Sequence, residues 1–104
     1  MSWTQLTAET ARAAGGYLGT YRLRNDEGEV VYIGYAGSRA AFGLRGLLEE
    51  HLRTATEPLW FAVDVTSSYL TRYQELLMLH RFDHGGLPRD NREDVDRIGR
   101  LTPR

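Results

Sequence analysis

The stretch "GTYRLRNDEGEVVYIG", residues 19–34, sets two runs rich in β-branched and aromatic residues around a polar segment, 25–28, and reads as a β-hairpin. The first run reaches back to Tyr17 ("YLGTYRLR", 17–24), and the second is "EVVYIGY" (29–35). Its register is open in the sequence. A four-residue loop, 25–28, sets Arg24 against Glu29 and Tyr21 directly opposite Tyr32, with both phenols on one face. A three-residue loop with Gly28 in a bulge pairs Tyr21 with Ile33 and turns Tyr32 to the other face.

On the N-terminal side, "QLTAETARA" (5–13) has the pattern of a short helix ended by Gly15 and Gly16. On the C-terminal side, "GSRAAF" (37–42) reads as a loop, and "GLRGLLEEHLR" (43–53) sets Leu44, Leu47, Leu48 and Leu52 at helical spacing. Glu57 and Pro58 break that pattern. "LWFAVDVT" (59–66) then alternates as a strand, and Ser67 or Ser68 caps a long helix over 69–84 that Gly85 and Gly86 terminate. The polar tail carries one or two further helical turns over 91–99. This order predicts a single α+β domain over 1–104 with its core at about 17–91. Its centre is a small three-stranded, mainly antiparallel sheet flanked by helices, the cover such a sheet needs to be stable.

Composition narrows the chemistry. The 104 residues are 41% hydrophobic and contain no cysteine, which supports one core and removes disulfide frameworks and thiolate metal sites. Thirteen basic residues, all arginine, against fourteen acidic ones leave a charge of -1, without the basic excess of a stand-alone nucleic-acid binder. Arginine nevertheless keeps its charge and meets phosphate through a planar fork. The first sixteen residues have neither a basic head nor an apolar run of signal length, and no run is long enough to span a membrane. The expectation is a cytoplasmic protein with no membrane association.

"GTY" (19–21) and "YIG" (32–34) across one hairpin resemble the GIY-YIG nuclease family, with threonine for the middle isoleucine. The later landmarks follow in the family's order: an arginine-bearing helix, a helix with one glutamate (Glu75), then "PRDN" (88–91). The resemblance spans Gly19 to Asn91. It implies a metal-dependent endonuclease that hydrolyses DNA phosphodiesters. Tyr21 and Tyr32 would help activate water, Arg45 or Arg39 would steady the phosphate, Glu75 would hold one Mg²⁺ or Mn²⁺, and Asn91 would support the site. Gly34, Tyr35 and His51 would adjoin the substrate. With so little chain left for specificity, a homodimer or a partner protein would supply it. Such a division of labour suits a phosphodiester, whose charge grows toward the transition state and is stabilised by a cation and a guanidinium.

Two positions depart from the family's pattern. Leu47 stands where the catalytic arginine commonly lies, one turn before a histidine like His51, and Tyr35 follows "YIG" where a small polar or basic residue is common. The second reading is therefore a catalytically weakened domain of the same fold that binds nucleic acid, or a protein-interaction module. Each residue also has a purely structural explanation. The tyrosines pack a core, Arg45 lies on the surface beside the leucine face, and Glu75 pairs with Arg72 at i, i+3. The helical projection sets Glu75 among Met78, Leu79 and Phe82, away from a main apolar face of Tyr69, Tyr73, Leu76, Leu77 and His80. His80 and His84, with Asp83 between them, give a faint zinc-like spacing that packing at a helix end explains equally well.

Overall fold

The computed structural model describes residues 3–92, so the greater part of the helical turns expected over 91–99 lies outside the described residues. Its elements are β1 (Thr4–Gln5), α1 (Ala8–Ala13), β2 (Gly19–Arg24), β3 (Val30–Ala36), α2 (Gly43–Thr54), β4 (Trp60–Val65) and α3 (Tyr69–His84). The α+β class stands, but the sheet has four strands, in the order β1-β4-β2-β3, every neighbouring pair antiparallel. The extra strand takes Gln5, expected to begin the first helix, together with Thr4 before it. Thr7 caps that helix, its side chain accepting from the Thr10 amide while the Thr10 hydroxyl accepts from the Thr7 amide. The helix therefore starts at Ala8, and Thr4 and Gln5 stay extended opposite Phe61 and Trp60.

The hairpin follows neither expected register throughout. Asn25 N–H donates to the Glu29 carbonyl and Gly28, at φ 88°, closes the turn, so the loop is three residues long and Arg24 pairs with Val30. A bulge between Leu23 and Arg24 then shifts the pairing by one residue. Tyr21 consequently faces Gly34, and Tyr32 faces Leu23, not Tyr21. The bulge returns Tyr32 to the face that the three-residue loop alone would have denied it. Both phenols share that face as diagonal neighbours, ring centroids 6.0 Å apart.

Helices cover the two faces of the sheet. On one, α2 seats Leu44 and Leu48, both fully buried, on Tyr21, Leu23, Val31 and Phe61, and α1 closes the end of this core with Ala11. The first amides of α2 donate to chain carbonyls, Leu44 to Tyr17 and Arg45 to Gly15, because its N-cap Phe42 supplies no side-chain acceptor. On the other face α3 lies along β3 and β2, with Leu76 buried and Ile33 beneath it. Edge strand β3 is closed at its middle by Asn91, whose Oδ1 accepts from Ile33 N–H at 2.7 Å while Nδ2 donates to the Ile33 carbonyl at 2.8 Å. Among the described residues, no helix is long and apolar enough to cross a membrane.

Candidate functional site

The residues singled out in the sequence fall into separate groups. Tyr21, Tyr32 and His51 form one cluster between the sheet and α2. The Tyr21 hydroxyl lies 2.7 Å from His51 Nε2, and the His51 ring packs 5.4 Å from Tyr21 and 4.8 Å from Tyr32 between centroids. Tyr21 is buried, while Tyr32 and His51 are half-buried. Gly34 serves this cluster rather than a phosphate: a Cβ there would sit 2.5 Å from the Tyr21 hydroxyl, so the phenol crosses the strand only because Gly34 has no side chain.

Tyr35 belongs to the opposite face. Side chains alternate along a strand, so Tyr32 and Tyr35, three residues apart in the regular part of β3, point to opposite sides. Tyr35 stacks on Tyr69 of α3 at 5.7 Å and 12° and meets Tyr73 at 4.8 Å. Past this stack, where the edge of β3 ends, Tyr35, Ser38, Arg39, Leu47, Tyr69 and Leu70 line an open cleft of about 440 Å³. The Ser38 amide donates to the Tyr69 hydroxyl at 3.3 Å, and hydrogen bonding to Ser38 holds this phenol below its usual pKa. Sequence reasoning missed Tyr69 as a site residue, although the i, i+4 pair Tyr69 and Tyr73 was visible as part of an apolar face.

Glu75 does not join the tyrosine cluster. Its Oε1 accepts from Arg72 at 3.2 Å, and Arg72 also binds Asp64 at 2.9 Å. Asp64 pairs with Thr20, whose side chain points away from that of Tyr21, so Asp64, Arg72 and Glu75 lie on the α3 face. The bond to Glu75, then that to Asp64, raises the pKa of Arg72, whereas burial, and then the charge of Arg72, lowers that of neighbouring Arg22. The expectation of a carboxylate enclosed by apolar residues is corrected as well: the Glu75 side chain is 55% exposed, and Met78, Leu79 and Phe82 around it are exposed too. The i, i+3 ion pair accounts for its environment.

Arg45 and Asn91 have structural placements. The Arg45 guanidinium lies 5.3 Å over the Phe42 ring, with its buried Nε 3.9 Å from Glu49, on the flank of α2. Asn91 is taken up by Ile33, and Arg39 alone of the named arginines reaches the cleft. The His80 and His84 rings lie 4.3 Å apart on α3, tilted by 30°, and among the described residues no group of three or more His, Cys, Asp or Glu could hold a metal ion. Glu75 is a poor fit for Mg²⁺ or Mn²⁺, because the Arg72 guanidinium already occupies its carboxylate with a positive charge. Tyr21 and Tyr32 thus lie on the α2 face of the sheet and Glu75 on the α3 face, so the residues given roles by the resemblance do not share one cleft.

The family model described as "Domain of unknown function (DUF7508)" matches residues 1–83. The chain belongs to this family. The matched region contains the tyrosine cluster, the cleft and Glu75, and ends before Asn91. No curated protein and no solved structure matches the chain.

Proposed function

We propose that this DUF7508 chain is a GIY-YIG-like module that binds DNA through the cleft at the end of β3 and does not use Glu75 for metal-dependent cleavage. One observation carries the reading: two stacked tyrosines, Tyr35 and Tyr69, and the exposed Arg39 line the same open cleft. Aromatic rings stack on bases of any sequence, and a guanidinium meets a phosphate oxygen pair through its planar fork. Tyr35, which departs from the GIY-YIG pattern, is in this reading the aromatic floor of the binding site. Arg72 beside Glu75 explains why the one-metal arrangement is not supported.

The alternative, hydrolysis of DNA phosphodiesters, has one observation in its favour. An imidazole 2.7 Å from the Tyr21 hydroxyl can take the phenolic proton, the help a tyrosine base needs near neutral pH. Fluorescence anisotropy with single-stranded, nicked and branched DNA, run alongside gels of the same mixtures with Mg²⁺ or Mn²⁺, separates the readings. Salt-dependent binding that Arg39→Ala weakens about tenfold, with a salt slope smaller by about one, and no cleavage supports the binding module. Cleavage abolished by both Tyr21→Phe and Glu75→Ala would replace it with the nuclease. Absence of binding to every substrate would leave the protein-interaction reading.

A further inference from the structure

Helix α3 ends in two histidines one turn apart. His80 is half-buried and His84 exposed, and their ring centres lie 4.3 Å apart. Both line a cavity of about 270 Å³ whose other walls are the hairpin turn, with Glu29, and the segment 87–92 that carries Asn91 onto β3. Neither the cleft at the end of β3 nor the tyrosine cluster uses either residue. The third histidine of the chain, His51, is engaged by Tyr21 on the α2 face.

We propose that His80 and His84 form a two-histidine site for one divalent ion of the nickel, copper and zinc class, with water in the remaining coordination positions. Imidazole suits these ions, and in a chain without cysteine no thiolate competes for them. Two imidazole nitrogens, each about 2.0–2.1 Å from an ion and meeting it at a right angle, set their ring centres roughly 4.5 Å apart. The observed separation needs little adjustment to reach that. Right-angled positions belong to octahedral and square ions, which ranks nickel and copper above tetrahedral zinc. The surroundings favour a cation, because the last turn of α3 presents the negative end of the helix dipole. The carboxylates of Asp83, on α3, and Glu29, in the hairpin turn, add to this, opposed by Arg92. Arg89 also lines the cavity but is already bound by Glu57 and Asp90. Two protein ligands leave the ion open to water, unlike a closed structural centre. Facing Glu29 across the cavity, the hydrated ion braces the end of α3 against the turn and the segment that holds Asn91.

Calorimetric titration of the full chain, free of any histidine tag, with Ni²⁺ and Zn²⁺ tests this, with Mg²⁺ as the hard-ion control. One Ni²⁺ per chain, an affinity at least about tenfold lower in His84→Gln, and no uptake of Mg²⁺ are the expected results. His84 is exposed, so the variant should keep the fold, checked by an unchanged far-UV circular dichroism spectrum. At about 100 times its dissociation constant, Ni²⁺ should raise the urea midpoint of the native chain by about 1–2 M and leave His84→Gln unmoved. Paramagnetic Ni²⁺ should broaden the amides of residues 28–30, 80–84 and 87–89, and spare those of Tyr35, Arg39 and Tyr69. No binding of Ni²⁺ or Zn²⁺ up to about 1 mM overturns the inference, as does Ni²⁺ binding that His84→Gln leaves unchanged. Broadening centred on His51 or on the cleft overturns it too, and so does a native midpoint that Ni²⁺ does not raise.

Discussion

Replacing Asn91 by alanine isolates the contact that closes the edge of the sheet. The side chain is 2% exposed and makes two short hydrogen bonds to one residue, accepting from Ile33 N–H and donating to the Ile33 carbonyl. Alanine removes both partners from backbone groups beneath a residue that is 1% exposed. Each buried polar group left unsatisfied costs about 1–3 kcal/mol, and water reaching an edge strand relieves part of that, so the expected loss is about 3 kcal/mol. With a urea m-value of about 1.2 kcal/mol/M, the midpoint of unfolding should fall by about 2.5 M. Amide exchange provides a local readout: Ile33 should be well protected in the native chain and should lose that protection in Asn91→Ala, with the β2–β4 amides least affected. A midpoint shift under about 0.5 M, or an Ile33 amide that exchanges at the same rate in both chains, refutes the clamp.

Three further outcomes follow from the same geometry. Gly34→Ala should displace the Tyr21 ring from its place across β3, break its contact with His51 and destabilise the domain by about 2–3 kcal/mol, read as a lower urea midpoint and a changed near-ultraviolet tyrosine signal. Thr20→Val should stabilise by about 1 kcal/mol in the same titration, because the buried Thr20 hydroxyl has no hydrogen-bond partner among the described residues and valine keeps the shape. Burial, reinforced by the charge of His84, lowers the pKa of His80 below its unfolded value, with Asp83 opposing the shift. Its protonation therefore favours the unfolded chain: stability should decline as pH falls below about 6.5 toward the folded-state value, and His80→Gln should flatten that part of the pH profile.

How far the sequence carried these conclusions differs from element to element. The hairpin, α2 and β4 were legible because each has its own period, with stops in Asn25 and Gly28 and in Glu57 and Pro58, and α3 was legible because Gly85 and Gly86 end it. β1 was not, since a two-residue strand has no period and only its pairing with Trp60 and Phe61 makes it one. The bulge left no mark either: Val30 and Val31 are alike in chemistry, and the shift at Leu23 belongs to the pairing of two strands.

The candidate site divides along the same line. The inward-facing position of His51 on its helix was readable locally, but setting Tyr32 on the face of Tyr21 needed the register that the bulge fixes. Placing Glu75 needed to know which face of the sheet α3 would cover. A helix whose apolar and polar residues alike are spread round its circumference gives no such indication, and the deciding contact, Arg72 with Asp64, joins residues on separate elements. Tyr35 was conspicuous as a departure from a pattern, but its role depends on Tyr69, far along the chain and brought alongside only by the fold.

The claim that the binding surface is the cleft at the end of β3, separate from Glu75, is tested most directly by amide chemical-shift mapping. The labelled chain would be titrated with a short single-stranded DNA in the absence of divalent metal. The expected result is a contiguous set of shifts over Tyr35, Ser38, Arg39, Leu47, Tyr69 and Leu70, with Glu75, Met78 and Asp64 unmoved. Shifts centred on Asp64 and Glu75, or none at saturating DNA, would contradict the account.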